Sequence, residues 1–475
     1  MQRVLVALWV LAVTAFAISA AQAHAAKEPQ PQPPPLSTTR YGEDYTYLHD
    51  PAARTGAWWE PFKYLPLMGT KGIEEVYLTT GLELRARYEH YDNNLWGGAL
   101  VPDDGYLWLR AMPLADLHLG SHVRLFGQLI AAFADGVEPV ESPVDEDRLD
   151  LLQGFADLRL PLGTGTAFTL RGGRQLLSYG SERLIGLRYG PNVLRAFDGI
   201  KGFVEAGEWR ADAFYFRPVA ADVGEFDDET DNTQAVWSLY ATRSLSFGKK
   251  TGIDLYYIGY DNDRAAFNQG NGNERRHTVG ARFFGQAGAW EWNWEAFYQF
   301  GDFDGGNIRA WSVASDIGYT FKALLFTPHL GLKANIISGD DDPHDSDLQT
   351  FNALFPKGKY FGELSLLGPY NLINLHPSIG FDFGGGWKLE GAAPFYWRES
   401  LDDGIYDVAG NLLRGDGGSH ARYIGVQAEV VLTYEHSRNL DFLIAYSQFH
   451  PGAFIADTGP SRTVHFTSWE MRFWF

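Results

Sequence analysis

The sequence contains no cysteine in 475 residues and only 4 methionines. Absence of cysteine excludes disulfides, thiolate metal sites and cysteine nucleophiles. Long apolar runs are missing as well. Beyond the N-terminus no stretch of about 18 apolar residues could cross a bilayer as a helix. Positive charge is scarce: 39 Lys and Arg stand against 59 Asp and Glu, a formal charge of −20. Such a surface repels nucleic acid and anionic lipid, so an anionic ligand would need a local basic patch. Aromatic residues, by contrast, are abundant, with 15 Trp, 24 Tyr and 32 Phe. That excess excludes disorder and demands a large apolar surface.

The chain opens with MQRVLVALWVLAVTAFAISAAQAHAA. Arg3, the apolar stretch from Val4 to Ala17 and the small residues ending in Ala21-Gln22-Ala23 form a secretory signal peptide over 1–23, with Ala25 as the alternative cleavage point. Residues 24–36 are a Pro-rich linker without a core. Residues 37–72 carry aromatics and paired charges but neither a 2.0 nor a 3.6 period, which reads as an irregular periplasmic segment packed near the mouth of the domain that follows.

From 73 to 475 the texture is uniform: stretches of about ten alternating residues, separated in turn by short Gly-containing turns and longer polar loops. In WEWNWEAFYQF (290–300), Trp290, Trp292, Trp294, Ala296, Tyr298 and Phe300 share one face, opposite Glu291, Asn293, Glu295 and Gln299. LELRARYEH sets Leu82, Leu84, Ala86 and Tyr88 against Glu83, Arg85, Arg87 and Glu89. Three Trp on one face suit lipid better than a soluble core, and charges on the other face would be buried dry in a sandwich. A barrel with lipid outside and water inside satisfies both faces. Eighteen such strands are expected, centred near residues 82, 109, 127, 155, 170, 200, 213, 238, 257, 281, 295, 315, 332, 380, 392, 428, 445 and 469. The fold class is therefore all-β, a transmembrane antiparallel up-and-down barrel. The long connections are acidic: 138–147, 222–231, 261–274, 340–363 and 402–416. Short turns at the periplasmic side and long loops outside place both termini in the periplasm of a Gram-negative cell. The ending SWEMRFWF, closed by Phe475, resembles the terminal signal of such barrels.

RYGEDYTYL and DPAARTGAWWEPFKYLPL before the barrel, GLELRARYEHYDN on the first strand, LRGGRQLLSYGSERLIG on the fifth and SGDDDPHDSDLQTFNALFPKGKYFGE in the longest loop are similar to the alginate-export outer-membrane porins. The resemblance implies an 18-stranded barrel whose Arg-rich constriction passes a polyanionic polysaccharide.

Alternation independently supplies lumenal basic candidates for a solute pathway: Arg85, Arg87, Arg110, Arg124, Arg171, Arg174, Arg195, Lys201, Arg282 and Lys333, with Arg159 and Arg472 beside them. An Arg on the lipid face near the midplane costs about 2–4 kcal/mol, which favours the lumen. Arg171 and Arg174 fall on opposite faces unless Gly172-Gly173 forms a bulge that turns both inward. The competing explanation is wall stiffening, in which these cations pair with lumenal carboxylates such as Glu83, Asp157, Glu295 and Glu470. In the long loop, Asp340, Asp341, Asp342 and Asp345 are candidate ligands for a structural calcium ion, but they lack the spacing and Gly of a calcium loop, which favours a solvated acidic loop. No other cofactor is expected. The loop's length marks it as a segment that folds into the lumen or gates it. No nucleophile elbow or H-E-x-x-H pair is present, so a channel is expected rather than an enzyme. A general diffusion porin is the alternative, and a barrel-borne hydrolase is the more remote one. Expected partners are outer-membrane lipid and lipopolysaccharide, the barrel assembly machinery and an anionic carbohydrate or organic acid, with no nucleic acid.

Overall fold

The computed structural model describes residues 32–68 and 76–475; the expected signal peptide, the linker up to residue 31 and residues 69–75 lie outside the described residues. Eighteen antiparallel strands close into one barrel. In order they are β1 (Val76–Asp92), β2 (Asp104–Leu119), β3 (Val123–Asp135), β4 (Asp147–Gly163), β5 (Thr166–Leu176), β6 (Ala196–Ala206), β7 (Trp209–Ala220), β8 (Gln234–Ser244), β9 (Lys249–Phe267), β10 (Gly270–Ala287), β11 (Trp290–Phe303), β12 (Gly306–Thr320), β13 (His329–Ile337), β14 (Leu372–Gly384), β15 (Trp387–Ala392, resuming at Phe395–Trp397), β16 (Tyr423–Ser437), β17 (Leu440–Pro451) and β18 (Val464–Trp474). Every expected strand centre falls inside one of them.

Closure joins β1 to β18 in a ladder from Glu83↔Trp474 to Asp92↔His465. It ends where Leu82 and Phe475 exchange both backbone hydrogen bonds. Gly81 lies at this seam because a Cβ there would stand 2.7 Å from the Phe475 carbonyl oxygen. A closed ladder leaves no unpaired strand edge, the condition for a sheet to sit in lipid. The outward positions carry Leu158, Ile200, Leu239, Leu255, Trp294, Val313, Val430 and Ile444, all exposed. The inward positions of β1 carry Glu83, Arg85, Arg87 and Glu89, all buried. Period two, an apolar outer face and a polar inner face thus arise from the same alternation.

One end of the barrel carries short turns and the other carries the long connections. The acidic stretch 261–274 departs from the loop expected of it. β9 and β10 run on to a tight turn at 268–269, with Asp261 opposite Arg275 and bound to it at 2.8 Å. Opposite charges on facing strands keep that hairpin paired, although its residues are polar on both sides.

At the turn end, residues 37–64 pack against the barrel opening. Tyr45, Leu48, Trp59 and Tyr64 form a small core. Trp58 lies 5.2 Å from the Phe475 ring, Lys63 Nζ donates to the Thr80 carbonyl at 2.8 Å, and Arg40 Nη2 donates to the Phe475 carbonyl at 2.5 Å. A short strand, Leu65–Met68, then pairs with the start of β1.

Candidate solute pathway

Three loop-end connections, 177–195, 338–371 and 398–422, turn into the barrel and fill its loop-end half with an apolar cluster that includes Ile185, Phe355, Tyr370 and Tyr406. The first two meet as a parallel bridge across the lumen: Gly186 N donates to the Phe355 carbonyl at 2.7 Å, and Phe355 N to that of Leu184 at 2.9 Å.

Lumenal arginines hold these loops. Arg85 donates to the carbonyls of Tyr189, Gly190 and Pro191 at 3.0, 3.2 and 2.9 Å. Arg110 donates to Glu83 at 2.7 Å and to the Asn192 carbonyl at 3.0 Å. The Tyr189 hydroxyl returns to Glu83 at 2.7 Å. Arg87 binds Glu89, Glu470 and, from the long loop, Glu363 at 3.0 Å. Arg276 reaches the Thr350 carbonyl at 3.1 Å. The guanidinium fork suits this role, since it offers five donors to the carbonyls that a turn leaves unpaired.

The remaining sequence candidates divide by partner. Arg124 is bidentate on Asp116, Arg171 on Asp157, and Arg282 holds Asp254 at 2.8 Å. Arg171 also lies over the ring of Tyr41, 4.3 Å away, which meets the stacked pair Phe126 and Phe155 edge-on at 6.3 and 5.6 Å. Arg174 is elsewhere. The β4–β5 ladder runs unshifted from Gly154↔Arg174 to Leu158↔Leu170, so no inserted residue turns both arginines to one face. Gly173, at φ +130°, absorbs the local twist. Arg174 is taken up by Asp198 at 2.9 Å, with Asp150 and Asp228 nearby. Among the described residues, Arg195, Lys201 and Lys333 have no carboxylate within ion-pair distance.

Cations face internal space on both sides of the loop bridge, in excess at the turn end and mixed with carboxylates at the loop end. A turn-end cavity of about 660 Å³ is lined by Tyr41, Arg124, Arg159, Arg171, Lys201 and Arg210. Lys201 sits 5.6 Å from the rings of Tyr179 and Phe203. A loop-end cavity of about 410 Å³ is faced by Arg188, Arg195 and Arg264 together with Asp147, Asp228, Asp231 and Glu274. Burial, and then the charge of Arg195, lowers the Arg188 guanidinium to about 9. Lys357 is lowered to about 8 by burial, then by Lys333 and Arg183. Cations that destabilise one another mark local excess positive charge.

Alternation could not have found Arg183, Arg188, Tyr189 or Lys357, because they lie in loops where no period applies. Tyr41 was equally hidden in an irregular segment.

The acidic residues named as candidate calcium ligands do not converge. Asp342 accepts from His344 N and Asp345 from Asp347 N, each at the surface. Asp341 is exposed, whereas Asp340 is buried toward Asp403, which, after burial itself, raises its carboxyl to about 7. Local turns, each closed by its own side chain, draw the four apart.

Residues 76–467 match the family model described as alginate export. No curated protein matches. Among solved structures the chain is similar to Pseudomonas aeruginosa OccK2 (OpdF), with 13% identity over 84% of this chain and 97% of that one, at a TM-score of 0.55. The same protein in complex with glucuronate matches at 13% identity over 84% and 96%, TM-score 0.54. Acinetobacter baumannii OccAB1 matches at 13% identity over 84% and 96%, TM-score 0.56. At such identity the likeness is one of fold.

Proposed function

The chain belongs to the alginate export family, and from that premise we propose that this outer-membrane β-barrel passes anionic oligo- or polysaccharide, or organic acids of the same charge, between its turn-end and loop-end cavities. The observation that carries the reading is a set of cations facing internal space with no carboxylate at ion-pair distance among the described residues: Lys201 at the turn end, Arg188 and Arg195 at the loop end. A solute carboxylate exchanges part of its hydration for these contacts and leaves again because each is weak in a wet cavity. No chemical step is needed. Uronate as the carried unit is supported by the glucuronate held by the structurally similar OccK2. The short turns, residues 37–64 and both termini are assigned to the periplasmic side, with the inward-folded loops controlling access from the other.

Carboxylates matched to Arg124, Arg171 and Arg282 favour one competing reading, a general diffusion porin whose charges stiffen its wall. Planar-bilayer conductance across a salt gradient separates the two. Anion selectivity with block by an oligouronate is expected; cation selectivity or none, without block, would leave the diffusion porin.

A further inference from the structure

A different set of acidic residues does gather. Asp147 and Asp150 lie at the loop end of β4, and Asp228 belongs to connection 221–233. The ligand oxygens of the three lie within 4.8 Å of one another. The connection folds back onto β4, where Phe226 N donates to the Leu149 carbonyl at 2.9 Å and Arg148 N to that of Gly224 at 3.2 Å. Two of the carboxylates have partners. Asp150 accepts from the amides of Leu151 at 2.5 Å and Asp228 at 3.1 Å, and Asp228 accepts from Asp222 N at 2.9 Å.

Asp147 does not. It is 0% exposed, and neither of its carboxylate oxygens has a hydrogen-bond partner among the described residues. The nearby guanidinium, Arg174, is engaged by both oxygens of Asp198, at 2.9 and 3.1 Å. It stands 3.6 Å from Asp150 and 3.9 Å from Asp228 and makes no ion pair with Asp147. A buried carboxylate without donor or cation is costly, and a hard cation relieves it.

We propose that Asp147, Asp150 and Asp228 form a binding site for a hard divalent cation, Ca²⁺ in the first place, which clamps connection 221–233 to β4. Three carboxylates leave room in the coordination shell of six to eight oxygens that Ca²⁺ takes, and the remaining positions would be filled by water from the cavity that Asp147 and Asp228 line. Mg²⁺ demands a stricter octahedron than two strand residues and one loop residue offer.

The test uses the full chain, refolded in detergent and stripped of metal, with calcium chloride as the only ligand. Calorimetry should give one saturable Ca²⁺ per chain, with a dissociation constant of about 10⁻⁴–10⁻³ M. Asp147→Asn should weaken it about tenfold or more. The pair Asp341→Asn and Asp342→Asn should not, which controls for diffuse binding by the acidic surface. In the unaltered protein, Ca²⁺ should protect 221–233 from protease, and a chelator should remove the protection. Absence of saturable binding, or undiminished binding in Asp147→Asn, would overturn the site. Cleavage of the unaltered protein indifferent to Ca²⁺ would overturn the clamp, and this readout stands even if the variant does not fold.

Discussion

Replacing Arg110 by Met tests whether lumenal arginines hold the loops. Arg110 and Glu83 are both fully buried, 2.7 Å apart, and Arg110 also holds the Asn192 carbonyl at 3.0 Å. Removing one partner of a buried pair costs about 3–5 kcal/mol. The lower end applies, because Glu83 keeps its bond from the Tyr189 hydroxyl at 2.7 Å. At about 1.4 kcal/mol per tenfold, 3 kcal/mol moves the docked-to-free ratio of connection 177–195 by about a hundredfold. The barrel ladder makes no use of the Arg110 side chain, so the unheated protein should still migrate as a folded barrel. Conductance should become larger and noisier, and protease should cut within 177–195. Adding Glu83→Gln should recover part of the docking by removing the stranded charge. A folded Arg110→Met barrel with unchanged conductance and unchanged protection of 177–195 would refute the reasoning.

Arg171→Ala removes the bidentate partner of Asp157 at the turn-end cavity and leaves it only Arg124 at 3.9 Å, so the reversal potential should shift toward cations, and by more than in Arg174→Ala, whose guanidinium sits among Asp198, Asp150 and Asp228; equal shifts would show that the turn-end cavity does not set selectivity. The pH dependence of the long loop follows from Asp340, raised to about 7 by burial and Asp403. The docked loop binds that proton more tightly than the free chain, whose value is about 3.9, so docking is strongest below the free value and weakens as pH rises through about 7. Protease protection of 338–371 should therefore be greater at pH 5 than at pH 8, and Asp340→Asn should flatten the profile; equal protection of the unaltered protein at both would defeat the assignment.

Strand positions and facing were legible because period two is imposed by lipid on one side and water on the other. Glu83, Arg85, Arg87 and Glu89 all point inward as their spacing requires. What Arg85 binds was not legible, since the carbonyls of Tyr189, Gly190 and Pro191 leave no side-chain signature. Consecutive glycines at 172–173 misled differently. They allow either an inserted residue or a positive φ, and only the ladder distinguishes these. The grouping of Asp147 and Asp150 with Asp228 depends on a loop crossing the tops of intervening strands, which local sequence does not encode. The acidic run at 340–345 suggested a cluster only because its carboxylates are near one another in sequence, and local turns won over convergence.

The arginines thus fall into two groups with separable consequences. Those in ion pairs, Arg87, Arg110, Arg124, Arg171 and Arg282, have their charge matched by a carboxylate, so a passing anion gains little from them while the pair is intact. Arg188 and Arg195 keep theirs. Both face the loop-end cavity, Arg195 lies over the Phe355 ring at 5.2 Å, and proximity to Arg195 helps to lower Arg188 to about 9. Selectivity and loop docking should therefore separate by mutation. Arg188→Gln with Arg195→Gln should take the reversal potential toward zero while conductance and protease protection of 338–371 stay near those of the unaltered barrel. Arg110→Met should do the opposite, raising conductance while preserving the sign of selectivity. If Arg110→Met abolished anion selectivity and the Arg188/Arg195 double variant left it intact, the paired arginines would be the ones a solute meets, and the pathway would have to run along the wall that carries them rather than past Arg188 and Arg195.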